Sequence, residues 1–164
     1  MAARKGSGKR AAPTGQVGRG EFVVYPGGPT AIYDLLERLS AAAGDAPEYG
    51  TPGISLDRKR LTVRWFGEPP AAVRRVLDGA QGFELTLAPT EFRPADLRAE
   101  AERLLAEHPG LVTSARDRPE GDGLEVLVAP PAAEAAGSAD AALEQAGVRA
   151  VFPLFAEPGE ALPD

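Results

Sequence analysis

The sequence predicts an α+β fold: a single domain with a split βαβ layout, its elements in the order βαβαββαβ, preceded by an extended basic arm and one helix. Three observations lead there. Apolar residues recur at every second position in some segments and at every third or fourth in others, the patterns of half-buried strands and amphipathic helices. The chain of 164 residues is punctuated by 19 glycines and 16 prolines, so its connections are frequent and many are irregular. With 43% hydrophobic and 26% charged residues the composition is globular, and the length suits one domain of roughly 100–150 residues plus a tail.

Residues 1–20 are small, polar and glycine-rich, with too little to bury to offset the entropy of ordering, and read as a flexible basic arm. Residues 21–53 follow as an extended segment, a helix and a linker. Phe22, Val23, Val24 and Tyr25 suit a short strand or an anchoring stretch that ends at Pro26-Gly27-Gly28. Thr30 can cap a helix whose apolar face carries Ile32, Leu35, Leu36 and Leu39. The α+β domain spans 54–155. In it Leu61, Val63 and Trp65 alternate with polar neighbours as a strand, and Val73, Val76, Leu77 and Ala80 mark the helix after Pro69-Pro70. Phe83, Leu85 and Leu87 form the next strand, and Pro94 opens a long helix through Leu97, Ala101, Leu104 and Leu105, stopped at His108-Pro109-Gly110. Residues 111–116 and 124–129 make a hairpin, a short helix covers 139–145, and Val148, Ala150, Phe152 and Leu154 belong to a last strand before an acidic tail, 156–164. Helices on one face of a mixed sheet, as in ferredoxin-like folds, leave the other face as a docking surface.

The absences narrow the chemistry. Without cysteine there is no disulfide, thiolate metal site or thiol nucleophile. No apolar run approaches the roughly 18 residues of a membrane span, and the N-terminus lacks the apolar stretch of an export signal, so the expected location is the cytoplasm or a virion, with no membrane partner. The single histidine, His108, lies in the turn closing the long helix, where an imidazole meets the terminal carbonyls and the helix dipole. No acid, base and nucleophile set can be named; the chain reads as non-enzymatic, with no cofactor and no metal.

Several lookalikes resolve to ordinary structure. Gly6-Ser7-Gly8-Lys9 has neither the preceding strand nor the following helix of a phosphate loop. Asp117, Glu120 and Asp122 lack the spacing of a calcium loop and read as a solvated hairpin turn, while Trp65 reads as core. Arg98 with Glu102 and Arg103 with Glu107 are i,i+4 pairs on the long helix, worth a few tenths of a kcal/mol each.

Charge is segregated along the chain. Arg4, Lys5, Lys9, Arg10 and Arg19 give residues 1–20 five positive charges and no acid; removing these from the net −6 leaves −11 on the remainder. With Phe22, Val24 and Tyr25, these cations are the candidate partner-binding residues. They suit a protein partner in a larger assembly, or nonspecific nucleic-acid contact, since such an arm without interleaved aromatics cannot read sequence.

The stretch GISLDRKRLTVRWFGEPPAAVRRVLD, followed by FRPADLRAEAERLLAEHP and the hairpin RPEGDGLEVLVAP, resembles the pro-domain-like modules of alpha-lytic and streptogrisin-type serine proteases of actinobacteria, over about residues 48–153. The resemblance rests on the order of strands and helices. It implies a pro-domain-like fold and a folding assistant or inhibitor that docks on a protease through a sheet surface. The leading expectation is a structural or assembly protein anchored by its N-terminal arm to a larger particle, most concretely a capsid decoration or minor structural protein of a phage-like virion. The alternative is a pro-domain-like assistant or inhibitor acting in trans.

Overall fold

The computed structural model describes residues 28–163, and over that span the chain builds two small units of like topology, each with its own three-stranded sheet. The first unit comprises helix α1 (Gly28–Ala43), strands β1 (Gly53–Ile54) and β2 (Arg60–Trp65), helix α2 (Ala71–Asp78) and strand β3 (Glu84–Pro89). The second comprises α3 (Pro94–Glu107), β4 (Val112–Asp117), β5 (Leu124–Val128), α4 (Pro130–Ala136), α5 (Ala139–Gln145) and β6 (Leu154–Pro158). In both, the first two strands pair antiparallel and the third returns parallel to the middle strand.

The α+β class holds, but the split βαβ sheet does not form. A split layout needs a slot between the two parallel strands of one unit, into which a strand of the other inserts. Here Leu61 lies beside Leu85 and Leu124 beside Leu154, so each parallel pair is joined directly and the slot is closed. The remaining side of each middle strand is taken by β1 or β4. β1 is only Gly53 and Ile54, too short to carry a period-two pattern.

The core divides in the same way. Ile32, Leu35 and Leu39 of α1 pack with Leu61, Val63 and Trp65 of β2 and with Val73 and Leu77 of α2. A second cluster joins Leu97, Ala101 and Leu104 of α3 to Val112, Leu124, Val126 and Val128, roofed by Ala133, Ala139, Ala142 and Leu143. The helix assigned by sequence to a segment ahead of the domain is therefore a core element of the first unit. Its Leu35 and Leu39 are wholly buried, each contributing about 1.5–3 kcal/mol.

The first helices of the two units can be laid in one register that matches them at a few positions. Glu37-Arg38-Leu39 corresponds to Glu102-Arg103-Leu104, and Ile32 to Leu97. In this register the buried Leu35 is replaced by the buried Glu100. Truncating either matched leucine, Leu39→Ala or Leu104→Ala, is expected to cost about 2–5 kcal/mol. Amide exchange should rise chiefly over 28–89 in the first variant and over 94–158 in the second. Uniform loosening of both by either substitution would mean a single shared core.

The second unit departs from the sequence reading at two places. The helix expected at 139–145 is preceded by another, α4, which ends at Gly137 with φ +101°, and Ser138 then caps α5 by accepting from the Ala141 amide at 3.0 Å. The last strand begins at Leu154, not Val148. Before it, the Val151 amide donates to Glu100 Oε2 at 3.0 Å and the Phe152 ring lies tilted against that of Phe92 with centroids 5.0 Å apart, so this stretch packs against α3 and its leading turn.

The units meet around the β3–α3 connection. The Thr90 amide donates to the Trp65 carbonyl, Phe92 to Gly121 and Ala95 to Pro47. Helical spacing pairs Arg98 with Glu102, yet its guanidinium bridges the units: one nitrogen donates to the Tyr49 carbonyl at 3.3 Å and another lies 3.5 Å from Asp117 Oδ2. The Arg103–Glu107 pair forms at 2.7 Å, joined by Glu100. Trp65 is core, as expected, at 2% exposure and against the Tyr49 ring.

Candidate docking surface

Alternation along β4, β5 and β6 sends Val112, Leu124, Val126 and Val128 to the helical side of the second sheet. An irregularity between Val112 and Ser114 resets β4, so that Val112 stays opposite Val128 while Ser114 faces outward opposite Leu127. The register then lays two rows across the outer face. One is Arg116–Glu125–Phe155 and the other Ser114–Leu127–Glu157. All three helices of this unit lie on the opposite side.

These rows floor a groove of about 500 Å³, whose lining also includes Arg118, Glu160, Ala161 and Leu162. The chain after β6 makes the rim: the Gly159 amide donates to the Val128 carbonyl at 2.9 Å, and Thr113 Oγ1 donates to the Gly159 carbonyl at 2.7 Å. Gly159 presses against Leu127, and a Cβ there would come within 3.2 Å of its methyl group. Phe155 is 41% exposed and Leu162 88%, apolar area presented to whatever enters.

The arginines of this face are paired with carboxylates. Arg116 pairs with Glu125 at 2.7 Å across the strands. Arg118 donates to Asp122 Oδ1 at 2.7 Å, lies 3.6 Å from Glu120 and stacks 3.9 Å above the Phe155 ring. The hydrogen bond to Asp122, with the nearby carboxylates, raises the Arg118 pKa further above its ordinary value. The acidic turn that resembles a cation loop thus serves to grip Arg118, while its Asp117 pairs with Arg98. Among the described residues no group of three or more His, Asp or Glu side chains is arranged to hold a metal ion.

The turn carrying these acids depends on glycine. Gly121 has φ +72°, and a Cβ on it would fall 2.3 Å from the Thr90 Cβ; Gly123 brings the turn against the Pro153 carbonyl. His108 closes α3, its amide donating to the Leu104 carbonyl at 3.1 Å and its carbonyl accepting from Leu111 and Val112. The first sheet also has an outer face, where Arg60, Thr62 and Arg64 of β2 lie beside Glu84, Thr86 and Ala88 of β3, with no apolar side chain larger than that of alanine.

The candidate partner-binding residues Arg4, Lys5, Lys9, Arg10, Arg19, Phe22, Val24 and Tyr25 lie outside the described residues. Sequence reasoning did not single out Arg116, Arg118, Phe155 or Leu127. The period-two pattern of β5 contained part of the signal, since Glu125 and Leu127 alternate with the buried Leu124, Val126 and Val128. No helix among the described residues is long and apolar enough to cross a membrane. The chain matches no protein-family model, no curated protein and no solved structure.

Proposed function

We propose that this chain is a non-enzymatic protein-binding module that docks its partner on the outer face of the second sheet. The observation carrying the reading is the groove across β4–β6, where exposed Phe155 and Leu162 lie among paired arginines and carboxylates, some of them unpaired, on a face without helices. Apolar anchors surrounded by held charges are the composition of a protein-binding patch. The partner class follows from the resemblance of residues 48–153 to pro-domain-like modules: a serine protease of the streptogrisin type, bound in trans by a folding assistant or inhibitor.

Mixed with such a protease, the full chain is expected to slow peptide hydrolysis in a saturable way. Phe155→Glu should weaken that inhibition at least tenfold without changing the thermal midpoint materially. Removing residues 1–27 should leave it intact. Undiminished turnover at saturating chain, or inhibition insensitive to Phe155, would remove this reading.

A second reading is favoured by the charge segregation, five cations in residues 1–20 against −11 on the rest of a chain of net −6. In it the arm laces onto a larger particle, such as a phage-like capsid, and the acidic body projects. The arm deletion separates the two readings, because this one makes association depend on residues 1–27.

A further inference from the structure

The turn between β1 and β2 is built as a projecting finger. Ser55 Oγ donates to Asp57 Oδ1 at 2.5 Å, the Lys59 amide donates to the same carboxylate oxygen at 3.0 Å, and the Arg60 amide donates to Ser55 Oγ at 3.0 Å. The Arg58 amide donates back to the Ser55 carbonyl at 2.9 Å, and Arg58 itself is held at φ +59°, a conformation uncommon for a residue with a side chain. This network fixes five residues to present one apolar side chain, Leu56, which is fully exposed. Arg58, Lys59 and Arg60 follow it, all exposed, and none forms an ion pair among the described residues.

The outer groove of the second sheet has the complementary character. Leu127, Phe155 and Leu162 supply apolar walls; Glu157 and Glu160 supply carboxylates that form no ion pair among the described residues. Its two arginines are already engaged, Arg116 by Glu125 and Arg118 by Asp122 and Glu120. Within one molecule the finger does not occupy the groove, since Leu56 is bare.

We infer that copies of this chain associate head to tail, the Leu56 finger of one seated in the outer-face groove of the next, with Arg58, Lys59 and Arg60 opposite Glu157 and Glu160. This rests on the reading of that groove as a docking surface and names a second copy as an occupant. Copies joined in this head-to-tail sense make a heterologous contact, which builds chains or rings. One finger in one groove is a small interface, so the association is weak, concentration-dependent and weakened by salt.

Sedimentation of the full chain over a range of concentration at low salt tests it. The weight-average mass of the wild type should rise with concentration, and both Leu56→Asp and the pair Glu157→Lys/Glu160→Lys should stay monomeric with unchanged thermal midpoints. Adding Arg58→Glu/Lys59→Glu to the groove pair restores opposite charges and should restore association. A wild type that is monomeric throughout, association that survives either kind of variant, or no recovery in the combined chain would overturn the inference. A monomeric chain that still slows a protease would retain the partner-docking reading and remove this one alone; one that associates but leaves a protease untouched would do the reverse.

Discussion

Replacing Gly121 by alanine is expected to destabilise the second unit by about 2 kcal/mol or more, through two costs that act together. The residue sits at φ +72°, a region that non-glycine residues enter only with strain. A methyl group there would also meet Thr90 at 2.3 Å from its Cβ and 3.1 Å from its Cα, so rotation of the Thr90 side chain cannot relieve the contact. Either the turn or the β3–α3 connection must shift, and the Phe92 to Gly121 hydrogen bond is lost with it. Chemical denaturation checks the magnitude. Thr90→Gly in the same chain should recover part of the loss, because it removes the atom that is struck most closely. Full recovery is not expected, since the positive φ remains strained.

The second large effect concerns Glu100, a carboxylate only 8% exposed on the core side of α3. It accepts two bonds of 2.8 Å from the Arg103 guanidinium and one of 3.0 Å from the Val151 amide. Arg103 in turn donates to Glu107 and to the Arg149 carbonyl, so this cluster ties α3 to the segment leading into β6. Glu100→Ala leaves the Val151 amide without its acceptor and is expected to cost about 2–3 kcal/mol near neutral pH. Glu100→Leu should cost less than the alanine, because the first unit places Leu35 at the matching position and fills it with apolar volume.

The same group gives the stability a pH dependence of known sign. The hydrogen bonds from Arg103 chiefly, and from Val151, hold the folded Glu100 pKa below its ordinary value of 4.5 against the opposing effect of burial. A carboxylate with a lowered folded pKa contributes fully above its unfolded value, and the contribution is lost as pH falls through the folded one. The stability difference between wild type and Glu100→Gln should therefore be constant at neutral pH. It should shrink as the solution is acidified below about 4.5. A difference independent of pH would show that Glu100 acts through its shape alone.

Much of the fold was legible because local signals and burial agree. The alternation of Leu61, Val63 and Trp65, and of Leu124, Val126 and Val128, marked the central strand of each sheet, and Pro94 marked the start of α3. The pairing was not legible. Whether β3 lies next to β2 or admits another strand between them depends on long-range hydrogen bonding, which a period-two pattern does not encode. β1 escaped because two residues carry no period, and α4 because its apolar face is made of alanines behind two prolines. Both expectations of one sheet and of a separate leading helix follow from that blindness to pairing.

The candidate docking surface was less legible still. Arg116, Glu125 and Phe155 come from three strands, and only their register puts them in one row. In the sequence, Arg118 belongs to an acidic turn read as solvated, and Phe155 falls out of phase with the alternating Val148, Ala150, Phe152 and Leu154. The stacking of Arg118 on Phe155 joins the turn to the outer face of the sheet. Leu56 likewise looks like one apolar residue in a charged turn until the hydrogen bonds of Ser55 and Asp57 show that the turn is held open around it.

The central claim is that a partner binds across β4, β5 and β6, and amide hydrogen exchange of the full chain with an excess of a streptogrisin-type protease tests it most directly. The expected result is slowed exchange over residues 112–118, 124–128 and 154–162, with the helices α1 and α2 unaffected. Protection confined to residues 1–27, or no protection anywhere in the second unit, would contradict it.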